Sequence, residues 1–161
     1  MPNAVKVELS ELKEIFLNHQ DKYPIMGNYA FMIDDKKSVV GHTNYTRMEI
    51  AITKDHLNYS DRLEVIDTLL HEIAHVLSFL IDGYNGHGFQ WKKWCVELGA
   101  TPSSRCYDPF SLGTPISKYS LTCPSCGKVH RMHRNTKSYY FCAICHKNGI
   151  KKCKLKKKQN Y

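Results

Sequence analysis

Two groups of residues in this chain have the types and spacings of metal ligands. The first is His71-Glu72-Ile73-Ala74-His75, an H-E-x-x-H pattern. On a helix, residues four apart share a face, so both imidazoles can reach one zinc ion. Glu72, rotated from His71 by about 100°, can reach a zinc-bound water without ligating the metal. Zinc lowers the pKa of that water, and a carboxylate beside it takes the proton as the water attacks a carbonyl. The spacing therefore predicts a catalytic zinc with Glu72 as general base. Such a zinc needs a third protein ligand and an open position. His87 is the favoured candidate, because Gly86 and Gly88 flank it and a turn-rich stretch, Asp82-Gly83 to Asn85-Gly86, lets the chain fold back. Glu97 is the competing ligand. The extended metzincin pattern is absent, since Ser78 and Ile81 stand where Gly and His are required. Tyr84 could donate to a developing oxyanion, although no spacing singles it out. His19, His42 and His56 lack ligand spacing and are expected on the surface or in support of the site. Trp91 and Trp94 read as core.

The second group is Cys123, Cys126, Cys142 and Cys145, a C-x2-C-x15-C-x2-C pattern. Four thiolates make a closed, structural zinc site whose metal supplies the folding energy of a segment too small to fold on apolar burial. Two zinc ions are thus expected, one catalytic and one structural. The remaining cysteines, Cys95, Cys106 and Cys153, are scattered. An odd count without a secretion signal fits a reducing compartment better than a disulfide framework.

The elements that must position these ligands follow from periodicity. Residues 7–19 carry Leu9, Leu12, Ile15 and Phe16 at helical spacing. Residues 29–33 and 48–52 read as strands, with turn residues at 41–44, giving a sheet of about three strands. The strongest helix starts at Ser60 as N-cap, with Asp61 and Glu64 in its first turn, and ends before Gly83. It contains the first ligand group. A second helix spans 88–98 with Gly99 as C-cap. Residues 102–115 form a connector, and residues 128–141 are long enough for a hairpin between the cysteine pairs.

Charge divides the chain. Of 23 Lys and Arg, 12 lie from Lys118 onward with no acidic residue; the first 117 residues hold the other 11 against 15 Asp and Glu, a net −4. Such asymmetry points to a polyanion-binding module on a body that does something else. Lys128, Arg131, Arg134 and Lys137 interleave with Tyr139, Tyr140 and Phe141, which suits phosphate contact and base stacking. Lys151, Lys152, Lys154, Lys156, Lys157 and Lys158 continue the basic run. No apolar stretch is long enough to span a bilayer.

With these residues assembled, the chain resembles the SprT-like/Spartan family of metalloproteases. The resemblance rests on residues 48–52, on Asp67-Thr68-Leu69-Leu70-His71-Glu72-Ile73-Ala74-His75, on Gly86-His87-Gly88, on Leu98-Gly99-Ala100 and on the trailing cysteine pairs. It implies an α+β, zincin-like catalytic domain over residues 1–116. A zinc ribbon over 117–148 and a basic tail over 149–161 follow. His71, His75 and His87 map to the zinc ligands and Glu72 to the catalytic glutamate. The implied activity is DNA-dependent hydrolysis of DNA-bound or DNA-crosslinked proteins. DNA, single-stranded or junction-containing, is the expected partner of an intracellular, DNA-associated monomer. A DNA-independent metallopeptidase and a non-catalytic nucleic-acid-binding or transcription-associated protein are the competing readings. An intact Glu72 counts against the last, because a structural site has no use for a general base.

Overall fold

An aspartate, not the serine before it, opens the long helix. In the computed structural model, which describes residues 5–104, 111–113 and 117–161, α3 runs Arg62–Asp82 with Asp61 as N-cap. Asp61 accepts from the Leu63 amide, and Glu64 accepts from the Asp61 amide, a reciprocal capping box. Ser60 was the expected cap. Instead it ends a short preceding helix, α2 (Lys54–Tyr59), which periodicity missed, and its hydroxyl is taken by His56 at 2.6 Å. At the other end Gly83 adopts φ +67° and its amide bonds back to Phe79 and Ser78, so the chain can reverse.

The described residues form two units, Met1–Thr114 and Pro115–Tyr161. In the first, α1 (Leu9–Lys22) precedes β1 (Ala30–Asp34), β2 (Gly41–Asn44) and β3 (Glu49–Thr53), and α4 (Phe89–Leu98) follows α3. The sheet order is β1-β3-β2, with β1 parallel and β2 antiparallel to β3. Central β3 has Ile50, Ala51 and Ile52 fully buried, as a strand covered on both faces must. Leu12, Phe16, Met26, Val65, Leu69, Ile73, Val76 and Leu77 complete the core. Residues 41–44, expected as a turn, are strand β2. The reversal comes just after, where Asn44 accepts from the Arg47 amide and Met48 takes φ +55°. Gly41 serves close approach, not turning: a Cβ there would lie 2.7 Å from the Thr68 methyl.

The second unit is a sheet of order β5-β4-β6, built from β4 (Tyr119–Thr122), β5 (Val129–Met132) and β6 (Lys156–Gln159), with α5 (Ala143–Lys147). Two expectations shift here. The hairpin lies across the first cysteine pair and not within 128–141, because the Cys123 amide bonds Lys128 and closes the turn. The basic tail is not a free tail: β6 pairs with β4 through Thr122↔Lys156 and Tyr119↔Gln159. The expected boundary at 116/117, part of the connector and Cys106 lie among or against residues outside those described. Among the described residues no helix is long and apolar enough to cross a membrane.

Candidate metal centres

His71, Glu72 and His75 sit on α3, one turn apart, where the helix passes from the core to a cleft of about 970 Å³. The Gly83 reversal returns the chain so that His87, in the loop before α4, meets them. The three Nε2 atoms converge: His75 and His87 are 3.0 Å apart, His87 and His71 3.3 Å. Tetrahedral zinc with Zn–N of about 2.0–2.1 Å separates its nitrogens by about 3.3 Å, so these donors fit one ion. All are poised as neutral ligands. Burial lowers His71 to about 4 and His75 to about 3, with the neighbouring histidines adding to both, and burial also lowers His87. Glu97, the competing ligand, is exposed, within electrostatic reach of Lys22 and outside the ligand cluster.

Glu72 is buried and raised to about 7, mainly by that burial. Its partner is Thr43 on β2, whose Oγ1 lies 2.8 Å from Oε2 and 3.2 Å from the Glu72 main-chain carbonyl. Tyr45 also lines the cleft, its ring 4.4 Å from Phe79; burial, then Glu72, push its phenol to about 12. Neither Thr43 nor Tyr45 was singled out by sequence, since a strand residue betrays its neighbour across space by no spacing. Trp91 is core, as expected, yet it is also the backing of the triad: its ring centroid is 4.6, 5.3 and 4.6 Å from those of His71, His75 and His87. Tyr84 packs its hydroxyl and ring edge against Gly86 and Gly88, where an added Cβ would lie 2.6 Å from the hydroxyl at either position. Of the other histidines, His56 is fully buried between Ser60 and Thr68, His42 pairs with Asp34, and His19 bonds the Ile15 carbonyl.

The second cluster also closes. The Cys123 and Cys145 sulfurs are 3.8 Å apart and those of Cys126 and Cys142 3.7 Å. Tetrahedral zinc with Zn–S of about 2.3 Å requires about 3.8 Å. Burial raises the Cys123 thiol, but the backbone amides of Cys126 and Ser125 outweigh it and bring it to about 7, favouring thiolate. Cys153 joins the buried cluster, a position that its lone spacing hid.

All twelve basic and aromatic residues expected at a nucleic acid are exposed. Register sets Arg131, Ser120 and Lys158 side by side on one sheet face, with Val129, Thr122 and Lys156 as the next row. Lys154 lies 3.5 Å over the Tyr139 ring. Lys157, on the exposed surface, donates to the Asn135 side chain and the Thr136 carbonyl. Lys128, Arg134, Lys137, Tyr140, Lys151 and Lys152 are exposed without joining those two rows.

Residues 12–116 match the SprT-like family. This chain belongs to it. The Drosophila melanogaster germ cell nuclear acidic protein is 30% identical over 127 residues, covering 75% of this chain. The chain spans only 12% of that relative's length. Among solved structures, it is similar to the metallopeptidase zymogen jannalysin of Methanocaldococcus jannaschii (18% identity, 62% of this chain and 93% of that one, TM-score 0.44). Abylysin of Pyrococcus abyssi, also a zymogen, gives 20% identity, 54% and 77% coverage and TM-score 0.41. The SprT-like segment contains the histidine triad, Glu72 and Thr43, whereas the cysteine cluster lies beyond it.

Proposed function

We propose that this chain is a zinc metalloprotease that hydrolyses peptide bonds of DNA-bound or DNA-crosslinked proteins, its C-terminal unit recruiting the DNA. The observation that carries the hydrolytic half is three converging imidazole nitrogens beside a buried carboxylate, on the wall of an open cleft. Zinc held by His71, His75 and His87 would supply Lewis acidity, acidifying a water and polarising a peptide carbonyl. Glu72 takes the water's proton; burial makes it a stronger base than a surface carboxylate, and the same group can pass the proton to the leaving amine. Trp91 closes the inner side of the triad. The cleft presents Val39, Val40, Leu63, Ile66 and Leu70 beside the polar centre, room for an extended chain. Support for the DNA half comes from the acid-free, lysine-rich C-terminal unit with its exposed Tyr139, Tyr140 and Phe141. The nuclear relative accords with a DNA-associated location.

The test is cleavage of a DNA-binding protein by the zinc-loaded chain, with and without DNA, beside Glu72→Gln. DNA-stimulated cleavage that vanishes in Glu72→Gln is the expected result. Equal cleavage without DNA would leave a metallopeptidase whose C-terminal unit only completes the fold. Wild type and mutant equally inert, with DNA still bound, would mark a binding module.

A further inference from the structure

Among the described residues, one side chain donates a hydrogen bond to the buried Glu72 carboxylate. That donor is Thr43, from an edge strand 29 residues earlier in sequence. A threonine hydroxyl has one proton, and two acceptors lie within its reach: Glu72 Oε2 at 2.8 Å and the Glu72 main-chain carbonyl at 3.2 Å. The shorter, charge-assisted bond to the ionised carboxylate is the stronger of the two. We infer that Thr43 is a positioning residue for Glu72: its hydroxyl fixes Oε2, so that Oε1 is the oxygen left to exchange a proton. This deepens the protease reading and rests on it for its catalytic consequence.

The fold is arranged to make that reach possible. β2 is held in register by β3, with Thr43 opposite Ile50. Gly41, two residues earlier on the same face, lies against α3 so closely that any side chain would strike the Thr68 methyl. The strand is therefore drawn down onto the helix at one end. That brings a short β-branched side chain within bonding distance of a helical carboxylate. Threonine suits the place because its χ1 is stiff, which keeps the hydroxyl aimed. A buried carboxylate with a single fixed donor has one preferred rotamer; without the donor it has several.

Thr43→Val keeps the shape and removes the hydroxyl, whereas Thr43→Ser keeps the hydroxyl. On the zinc-loaded chain, Thr43→Val is expected to lower kcat by about 10- to 100-fold, the range for partners that orient reactive groups around a metal. KM stays within about twofold, as for loss of an interaction realised only in the transition state. Thr43→Ser recovers most of kcat. In the Glu72→Gln background Thr43→Val adds no further loss. Crystal structures of zinc-loaded wild type and Thr43→Val supply a readout independent of turnover: one Glu72 rotamer in the first, more than one or a displaced one in the second. If no peptide is hydrolysed by wild type, the protease reading fails, and the rotamers alone decide the positioning claim. A Glu72 carboxylate unmoved in Thr43→Val overturns it, as does an unchanged kcat in an active enzyme. If Thr43→Val does not fold, Thr43→Ala is assessed in the same way.

Discussion

The two clusters of candidate metal ligands bring their donor atoms together by opposite means. The histidine triad rides on a scaffold that stands without it: α3 is capped at both ends, and its buried face meets Leu12, Phe16, Ile50 and Ile52. The cysteine cluster is itself the core of its unit, with Cys123, Cys142, Cys145 and Cys153 packed together and Leu155 against them. The first cluster takes its order from the fold around it, whereas the second is packed at the centre of its own unit. The difference shows in the donors. The triad uses neutral imidazoles, one of them exposed to a cleft, and leaves room for a reactant. The thiols leave none.

Four measurements test that contrast. The largest effect is expected from metal removal. Zinc contributes about 10–16 kcal/mol to small units that fold around it. A strong chelator, or Cys145→Ser, should collapse the amide dispersion of residues 117–161 in NMR spectra and leave residues 5–104 dispersed. A C-terminal unit that stays folded without metal would end the contrast.

The converse follows for the body. Leu69 is fully buried in its core, so Leu69→Ala should cost about 2–5 kcal/mol in urea unfolding of the first unit. Zinc affinity at the cysteines should not change.

Acid should act on the body next. His56 is buried between two hydroxyls, and burial lowers it from 6.5 to about 4. The unfolded chain therefore takes up the proton first. Stability from this group is complete above about pH 6.5 and is lost as pH falls towards 4, a change of about 3 kcal/mol. His71 and His75, lowered likewise, add a loss of the same sign in metal-free protein. Unfolding of His56→Gln, followed from pH 7 to 4, should show a shallower slope.

The smallest effect has the opposite sign to intuition. Glu72 is raised from 4.5 to about 7 by burial, so its charged form costs stability as pH rises through that window. Glu72→Gln should therefore stabilise metal-free protein at pH 8 by about 1–3 kcal/mol, read as a higher melting temperature. An unchanged or lower value would mean that the carboxylate is better solvated than its surroundings imply.

What the sequence disclosed was what lies along the chain. His71, Glu72 and His75 follow from one helical turn. The cysteine pairs follow from their knuckles. Gly83 and Gly99 end helices because left-handed backbone favours glycine. What it withheld lies across the chain. Thr43 reaches Glu72 from another element, Trp91 serves core and triad at once, and β6 hides in a lysine run whose pattern reads as solvent-facing. Ser60 misled because it satisfies the composition of an N-cap while its hydroxyl is spent on His56. Local rules cannot see that competition.

The packing of Tyr84 on the His87 loop has a consequence for sequence variation. Gly86 and Gly88 are kept bare by one ring, since a methyl at either would press on the same hydroxyl. The three positions should therefore drift as a set: wherever a homologue carries a side chain at 86 or 88, residue 84 should be small. A pair of sequences that breaks this rule while keeping the histidine would have found another way to hold the loop that carries it.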